Sequence, residues 1–269
     1  MPSRTKDMTQ GSPTKLILQF SLPLLAGNIL QQLYNLVDTL VVGRAEGVTA
    51  LAAVSSTGWL DWTLLGLILG LAQGFAIQIA HSFGAGDHAG LRRAAGHSIV
   101  LAITVVTALE IIAQFALRPV LTLMNTPADT YELTLLYLRI VFGGLPLVMG
   151  YNLFSGFLRS VGNSRTPLFA ITCSAICNIL LDVLFVVYFH WGVAGVAIAT
   201  LISQALSCLI CLVAVLRLPI FKLSRSDLRL SRDVSFGLIK LGLPIAFQMG
   251  KKGLEGLLKD RNDEVAQRL

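Results

Sequence analysis

The chain of 269 residues is 54% hydrophobic and only 13% charged, with a mean hydropathy of +0.72. A soluble domain carries about a quarter charged residues, so the composition excludes an ordinary water-soluble fold and points to a chain that crosses a bilayer repeatedly. The net charge of +6 would suit a nucleic-acid partner, but the basic residues sit in the connections between apolar runs, where membrane topology accounts for them.

Residues 1–15 are polar and read as a cytoplasmic amino-terminal segment, with nothing resembling a cleaved signal peptide. Six apolar windows follow, at about 16–43, 50–80, 95–117, 132–157, 167–189 and 193–216. Each reaches or exceeds the roughly 20 residues a spanning helix needs, and none alternates as a strand would. The fold class read from them is an all-α membrane protein. A lobe of six transmembrane helices spans 16–216, a basic linker covers 217–233, and a seventh helix starts over 234–248. Gly66, Gly70, Gly74, Gly143, Gly144, Gly192 and Gly195 recur through the windows as small residues that let helix backbones approach.

Charge sets the expected orientation. Arg4, Lys6, Lys15, Arg92, Arg93, Arg159, Arg165 and the residues Arg217, Lys222, Arg225, Arg229 and Arg232 fall on one side, against Arg44 and Arg118 on the other. The positive-inside rule places the amino terminus and the linker in the cytoplasm. At 240–248 the chain reads KLGLPIAFQ, an echo of QFSLPLLAGN at 19–28 with Pro244 in the place of Pro23. An even number of spans separates the two, so the repeat they imply is parallel, and a second lobe barely begins. The tail 249–269 is highly charged and is expected not to continue a spanning helix; it reads as a short surface helix or a segment foreign to the original reading frame.

Polar groups inside the apolar windows carry the functional signal, because each is costly in hydrocarbon and defaults to function. Asn178 and Asp182 are one helical turn apart and share a face. Thr200 and Ser203 fall in the sixth window and Asp38 in the first, and the depths of Asp38, Asp182 and Thr200 are compatible with one cluster. Burial and mutual repulsion penalise two ionised carboxylates, so at least one is expected to hold a proton or recruit a cation. Carboxylate, amide and hydroxyl oxygens together suit a proton or a hard ion such as sodium. Asp61, Glu110 and Arg139 are expected in the outer leaflet, with Arg139 paired to one of the two acids. Trp59, Trp62 and Trp191 read as interfacial anchors. Cys173, Cys177, Cys208 and Cys211 read as apolar residues, and His81, His88, His97 and His190 show no metal spacing. No cofactor and no nucleophile–base set is expected, so an enzyme is the least favoured class.

In order along residues 16–248, the chain resembles the multidrug and toxic compound extrusion (MATE) transporters. The resemblance rests on Pro23, Gln31, Tyr34 and Asp38, then Val42-Gly43 and Ala50-Leu51-Ala52-Ala53-Val54. It continues through Gly74, Gly84-Ala85-Gly86, Arg92-Arg93-Ala94, Leu158–Asn163 with Thr166-Pro167, Asn178–Asp182 and Gly192–Thr200. It implies a proton- or sodium-coupled antiporter of the bacterial inner membrane, built from two six-helix lobes and exporting organic compounds, expected to be cationic. Asp38, Asn178, Asp182 and Thr200 would correspond to the amino-lobe cation site, Gln31, Tyr34 and Asn152 to the substrate cavity, and Pro23 to a hinge in the first helix. The expected partners are the bilayer, a small organic substrate and either a second lobe or a second copy of the chain, with no nucleic acid. Two further readings stand beside it: a lipid-linked precursor flippase of the same superfamily, whose cavity should be richer in Lys and Arg, and a truncated membrane fragment without transport activity.

Overall fold

The computed structural model describes residues 13–45, 58–124 and 126–268. The side chains of Tyr34, Asp38 and Trp59 and the segment Ala50–Val54 lie outside the described residues. Every regular element described is helical: α1 (Pro13–Ala45), α2 (Gly58–Gly84), α3 (His88–Leu123), α4 (Ala128–Gly143), α5 (Leu145–Ser160), α6 (Arg165–Asp182), α7 (Gly192–Leu216) and α8 (Arg232–Arg268). A π-helical segment, Val183–Tyr188, prolongs α6, and a single 3-10 turn, Pro219–Phe221, follows α7. Among the described residues, five stretches are long and apolar enough to cross a membrane: Leu60–Gly84, His88–Leu123, Thr130–Ser160, Arg165–Tyr188 and Gly192–Leu216. The protein is an all-α, multi-pass membrane protein. α1, at 33 residues, also exceeds the length that a span requires.

Two family-like motifs are turn devices. Gly86 has φ +70°, a left-handed conformation that costs glycine nothing, and it hands the chain to Asp87. The Asp87 carboxylate caps α3 by accepting from the Gly90 N–H at 2.8 Å. Gly162, at φ +81°, plays the same part before α6, and the Asn163 side-chain oxygen accepts from the Thr166 N–H at 3.1 Å. The segment Leu158–Asn163 therefore needs its glycine and its amide for geometry.

The core lies between α2, α3, α4 and α5, where Phe75, Leu91, Leu117, Leu138, Phe142 and Phe157 are fully buried. Polar ties cross it. Ser160 Oγ donates to the Ala76 carbonyl of α2 at 2.7 Å, and Gln114 Nε2 of α3 donates to the Arg139 carbonyl of α4 at 3.0 Å. The opposite picture holds outside, where Phe115 and Leu123 of α3 are each 81% exposed, as lipid-facing side chains should be.

The fourth window crosses as one stretch, Thr130–Ser160, but winds as two helices, α4 then α5, because Pro146 cannot donate a backbone hydrogen bond and Gly144 gives way beside it. Leu201 of α7 fills the space a side chain at Gly144 would take. Arg139 forms no ion pair with Asp61 or Glu110; the ion pair found among the described residues is Lys251–Glu255 at 3.1 Å on α8. The charged tail is helical and joins the seventh helix without a break, in α8 of 37 residues, which is not among the five stretches apolar enough to span.

The support for α8 is its packing along α2. A Cβ at Gly74 would collide with the Gly242 backbone, one at Gly70 with Ala246, and one at Gly66 with Met249 and Gly250. The contacts advance one helical turn at a time, up α8 and back along α2. The helices are therefore antiparallel and in backbone contact, as small-residue stripes permit.

Candidate functional site

α6 and α7 form an antiparallel hairpin, and α6 turns a polar face into it. Ser174, Asn178 and Asp182 follow one another at single-turn spacing and are buried, at 5%, 1% and 0% exposure. Ser174 Oγ donates to the Ser203 carbonyl on α7 at 2.6 Å, which fixes the register of the two helices. The same register carries Thr200, one turn back along α7, opposite Asn178. Ser203 is itself 3% exposed. Neither amide atom of Asn178, nor the Ser203 hydroxyl, makes a hydrogen bond among the described residues. Leaving such groups buried without partners costs about 1–3 kcal/mol each, so this seam holds more polar capacity than folding uses.

α1 closes on the hairpin from one side. A Cβ at Gly27 would rest in ordinary contact with Ile171 at 3.7 Å and Leu168 at 3.8 Å on α6. α1 also meets the π-helical segment that prolongs α6. The Asp38 side chain lies outside the described residues. Pro23 lies inside α1, which remains a continuous helix through it.

The π-helical segment beginning directly after Asp182 is a feature that sequence reasoning missed. One extra residue per turn turns the following side chains relative to an α-helix, and such segments cluster at functional sites. Phe189 N–H reaches the Leu184 carbonyl at 3.0 Å, and the turn to α7 passes through His190 at φ +55°. Phe185, Phe189 and Trp191 stack around that turn, with Phe185 and Trp191 ring centroids 4.9 Å apart. The run Val183–Tyr188 is simply apolar and carries no signal of this winding.

The residues expected in a substrate cavity are less closely gathered. Gln31 is half-buried on α1. Asn152, on α5, donates from Nδ2 to the Val148 carbonyl of its own helix at 2.8 Å. α5 packs mainly on α2 and α7, whereas α1 packs mainly on α6. Tyr34, by its side chain, lies outside the described residues.

The MatE family model matches residues 23–184. The chain is 32% identical over 245 residues to a probable multidrug resistance protein, YpnP, of Bacillus subtilis, covering 90% of this chain and 54% of that protein. It superposes with a TM-score of 0.84 and 28% identity on a MOP superfamily transporter from Pyrococcus furiosus, described as having a binding pocket of reverse polarity, over 91% of this chain and 55% of the other. The outward-facing conformation of a multidrug resistance MATE family transporter gives the same TM-score of 0.84, at 28% identity, over 91% and 55%. The chain spans about half the length of the relatives it matches. The match over most of the α1–α6 bundle, with both turn motifs and the polar hairpin face inside it or adjoining it, leads to one assignment: the chain belongs to the MatE family.

Proposed function

We propose that this chain is the amino-terminal lobe of a cation-coupled multidrug exporter, and that Asp38, Asn178, Asp182 and Thr200 hold the coupling proton or sodium ion. The observation that carries the reading is the buried face of α6, where Asn178 is 1% exposed with an amide that makes no hydrogen bond among the described residues, one turn from the fully buried Asp182. A carboxylate and an amide oxygen at that spacing offer hard oxygen donors to a sodium ion, or a protonation site. The packing of α1 on α6, and the place of Thr200 one turn from the Ser203 carbonyl that Ser174 bonds, support it. The names of the relatives, multidrug resistance and export proteins, support drug efflux as the transported activity. In this reading the basic end of the bundle, with the amino terminus and the 217–231 connection, faces the cytoplasm.

Coupling follows from differential affinity. The ion can bias α1 only by as much as its binding differs between two conformations of the site. Pro23 lacks the backbone N–H that would tie the turn before it, so α1 is the element best able to answer a change at Asp38. Gln31, Tyr34 and Asn152 are proposed to face the exported compound, and a second lobe, supplied by more chain or by a second copy, completes the pathway.

The test is the Asp182→Asn variant of the two-lobe transporter in proteoliposomes, with substrate flux followed under an imposed proton or sodium gradient. Coupled efflux should fall to background while membrane insertion is retained. Undiminished flux would refute the site. The flippase reading stands as the alternative. Transport of a lipid-linked precursor, with no organic cation moved, would favour it.

A further inference from the structure

We propose that His97 is a latch that fixes the start of α8 to the first lobe, so that the 217–231 connection is a docked strap with its pivot at Ser231. The placement rests on the geometry of this chain alone; only its consequence for lobe motion rests on the two-lobe reading above.

The strap is held along its length. Leu218 and Phe221 are buried, and the Phe221 ring stacks on Phe157 of α5 with centroids 5.4 Å apart and an interplanar angle of 13°. Asp227 Oδ2 then closes a turn by accepting from the Ser224 N–H at 2.8 Å and the Ser224 hydroxyl at 2.7 Å. The Asp227 carbonyl lies against Gly96 of α3, where any side chain would collide with it. One residue along from Gly96, His97 receives the end of the strap.

His97 is 2% exposed and uses both ring nitrogens. Nδ1 lies 2.8 Å from the Arg93 carbonyl, and Nε2 lies 2.8 Å from the Ser231 backbone nitrogen, which is placed to donate, and 3.3 Å from the Ser231 hydroxyl. A carbonyl can only accept, so Nδ1 carries the hydrogen. Nε2 therefore offers a lone pair, which the Ser231 N–H fills. Ser231 directly precedes α8, and its own carbonyl takes the Ser235 N–H at 3.1 Å. A backbone N–H at a helix start has no partner within the helix. Here the partner comes from α3, 134 residues away in sequence.

The consequence is positional. α8 is anchored at its first turn by His97 and further along by the glycine stripe of α2. A latched start keeps the two stripes in register, and any swing of α8 away from α2 must turn about Ser231. His97 is thus a positioning residue, acting through a backbone amide.

The experiment is hydrogen–deuterium exchange by mass spectrometry on the full chain in lipid nanodiscs, following the segment that contains Ser231, with the α6–α7 segments as reference. His97→Leu removes the acceptor and should raise exchange at the Ser231 amide by about tenfold, the scale of one hydrogen bond. His97→Gln places an amide oxygen near the position of Nε2 and should restore most of the protection. Unchanged exchange in His97→Leu overturns the latch. If His97→Leu also loosens the reference segments, His97→Gln decides: protection retained at Ser231 supports the latch, and protection lost there, alone or with the rest, overturns it. Efflux is a separate readout, so undiminished flux in Asp182→Asn would remove the cation-site reading and leave the Ser231 result standing.

Discussion

Two helix seams in this molecule solve the same problem by opposite means. Along α2 and α8, Gly66, Gly70 and Gly74 meet Gly242, Ala246 and Gly250, and the contact is backbone on backbone with almost no side chain between. Along α6 and α7, Ser174 bonds Ser203 across the seam while Asn178 and Asp182 lie buried beside it. In hydrocarbon, helices gain nothing from hiding apolar surface, so association falls to close packing or to polar ties. The glycine seam uses the first and carries no chemistry. The polar seam uses the second, and it retains more polar groups than the packing requires.

The difference predicts different responses to substitution. The largest effect is expected at Gly70, where even a methyl would strike the Ala246 backbone; Gly70→Leu should cost at least about 3 kcal/mol. Thermal unfolding in detergent, with exchange along α8, would measure it. Gly237, on α8 but with open space around it, is the control, and Gly237→Ala should raise stability by up to about 1 kcal/mol through helix propensity. A Gly70 variant no worse than the control would mean that the seam is not in close contact.

The polar seam should show the reverse sign at its unbonded member. Asn178→Leu replaces a buried amide having no hydrogen-bond partner among the described residues with an apolar side chain of similar size. It should stabilise the fold by about 1–3 kcal/mol while abolishing coupled efflux. A loss of stability would show that the amide serves packing. Ser174→Ala should be milder, about 1 kcal/mol in the destabilising direction, since one neutral hydrogen bond to Ser203 is lost.

The smallest effect belongs to the strap. The Ser224 N–H and hydroxyl hold the Asp227 carboxyl below its ordinary value of 3.8, and Arg92 and Arg93 add to this. A depressed value in the folded state stabilises above the unfolded value and is lost as pH falls through the folded one. The Ser224–Asp227 turn should thus be intact at neutral pH and open only in strong acid, below about pH 3.8. Exchange at the Ser224 amide across that range would show it. The group is solvent-exposed, so the change should stay local.

Apolar length and charge placement were enough to read membrane helices and a sided arrangement of basic loops, because span length and desolvation cost act on the sequence directly. The spacing of Asn178 and Asp182 was legible for the same local reason: residues one turn apart share a face whatever surrounds the helix. Their companionship with Ser174 and Ser203 was not, since the register of α6 on α7 is set between helices. The π-helical winding after Asp182 left no trace in an apolar run. The break at Gly144 had a local cause in Pro146, but Leu201 occupying the space beside it is a tertiary fact.

His97 marks the boundary best. In sequence it is one of four scattered histidines with no metal spacing, and nothing nearby names a partner. Only folding brings Ser231 to its Nε2 and the Arg93 carbonyl to its Nδ1, and so assigns the hydrogen to one nitrogen. The membrane class, the helical spans and the polar face of α6 are legible in the residues alone, because each follows from composition or from the period of one helix. The tertiary structure alone decided which glycines touch, which carbonyl takes the Ser174 hydroxyl and where α8 is latched. Those contacts join residues far apart in the chain, and no local rule ranks the pairings.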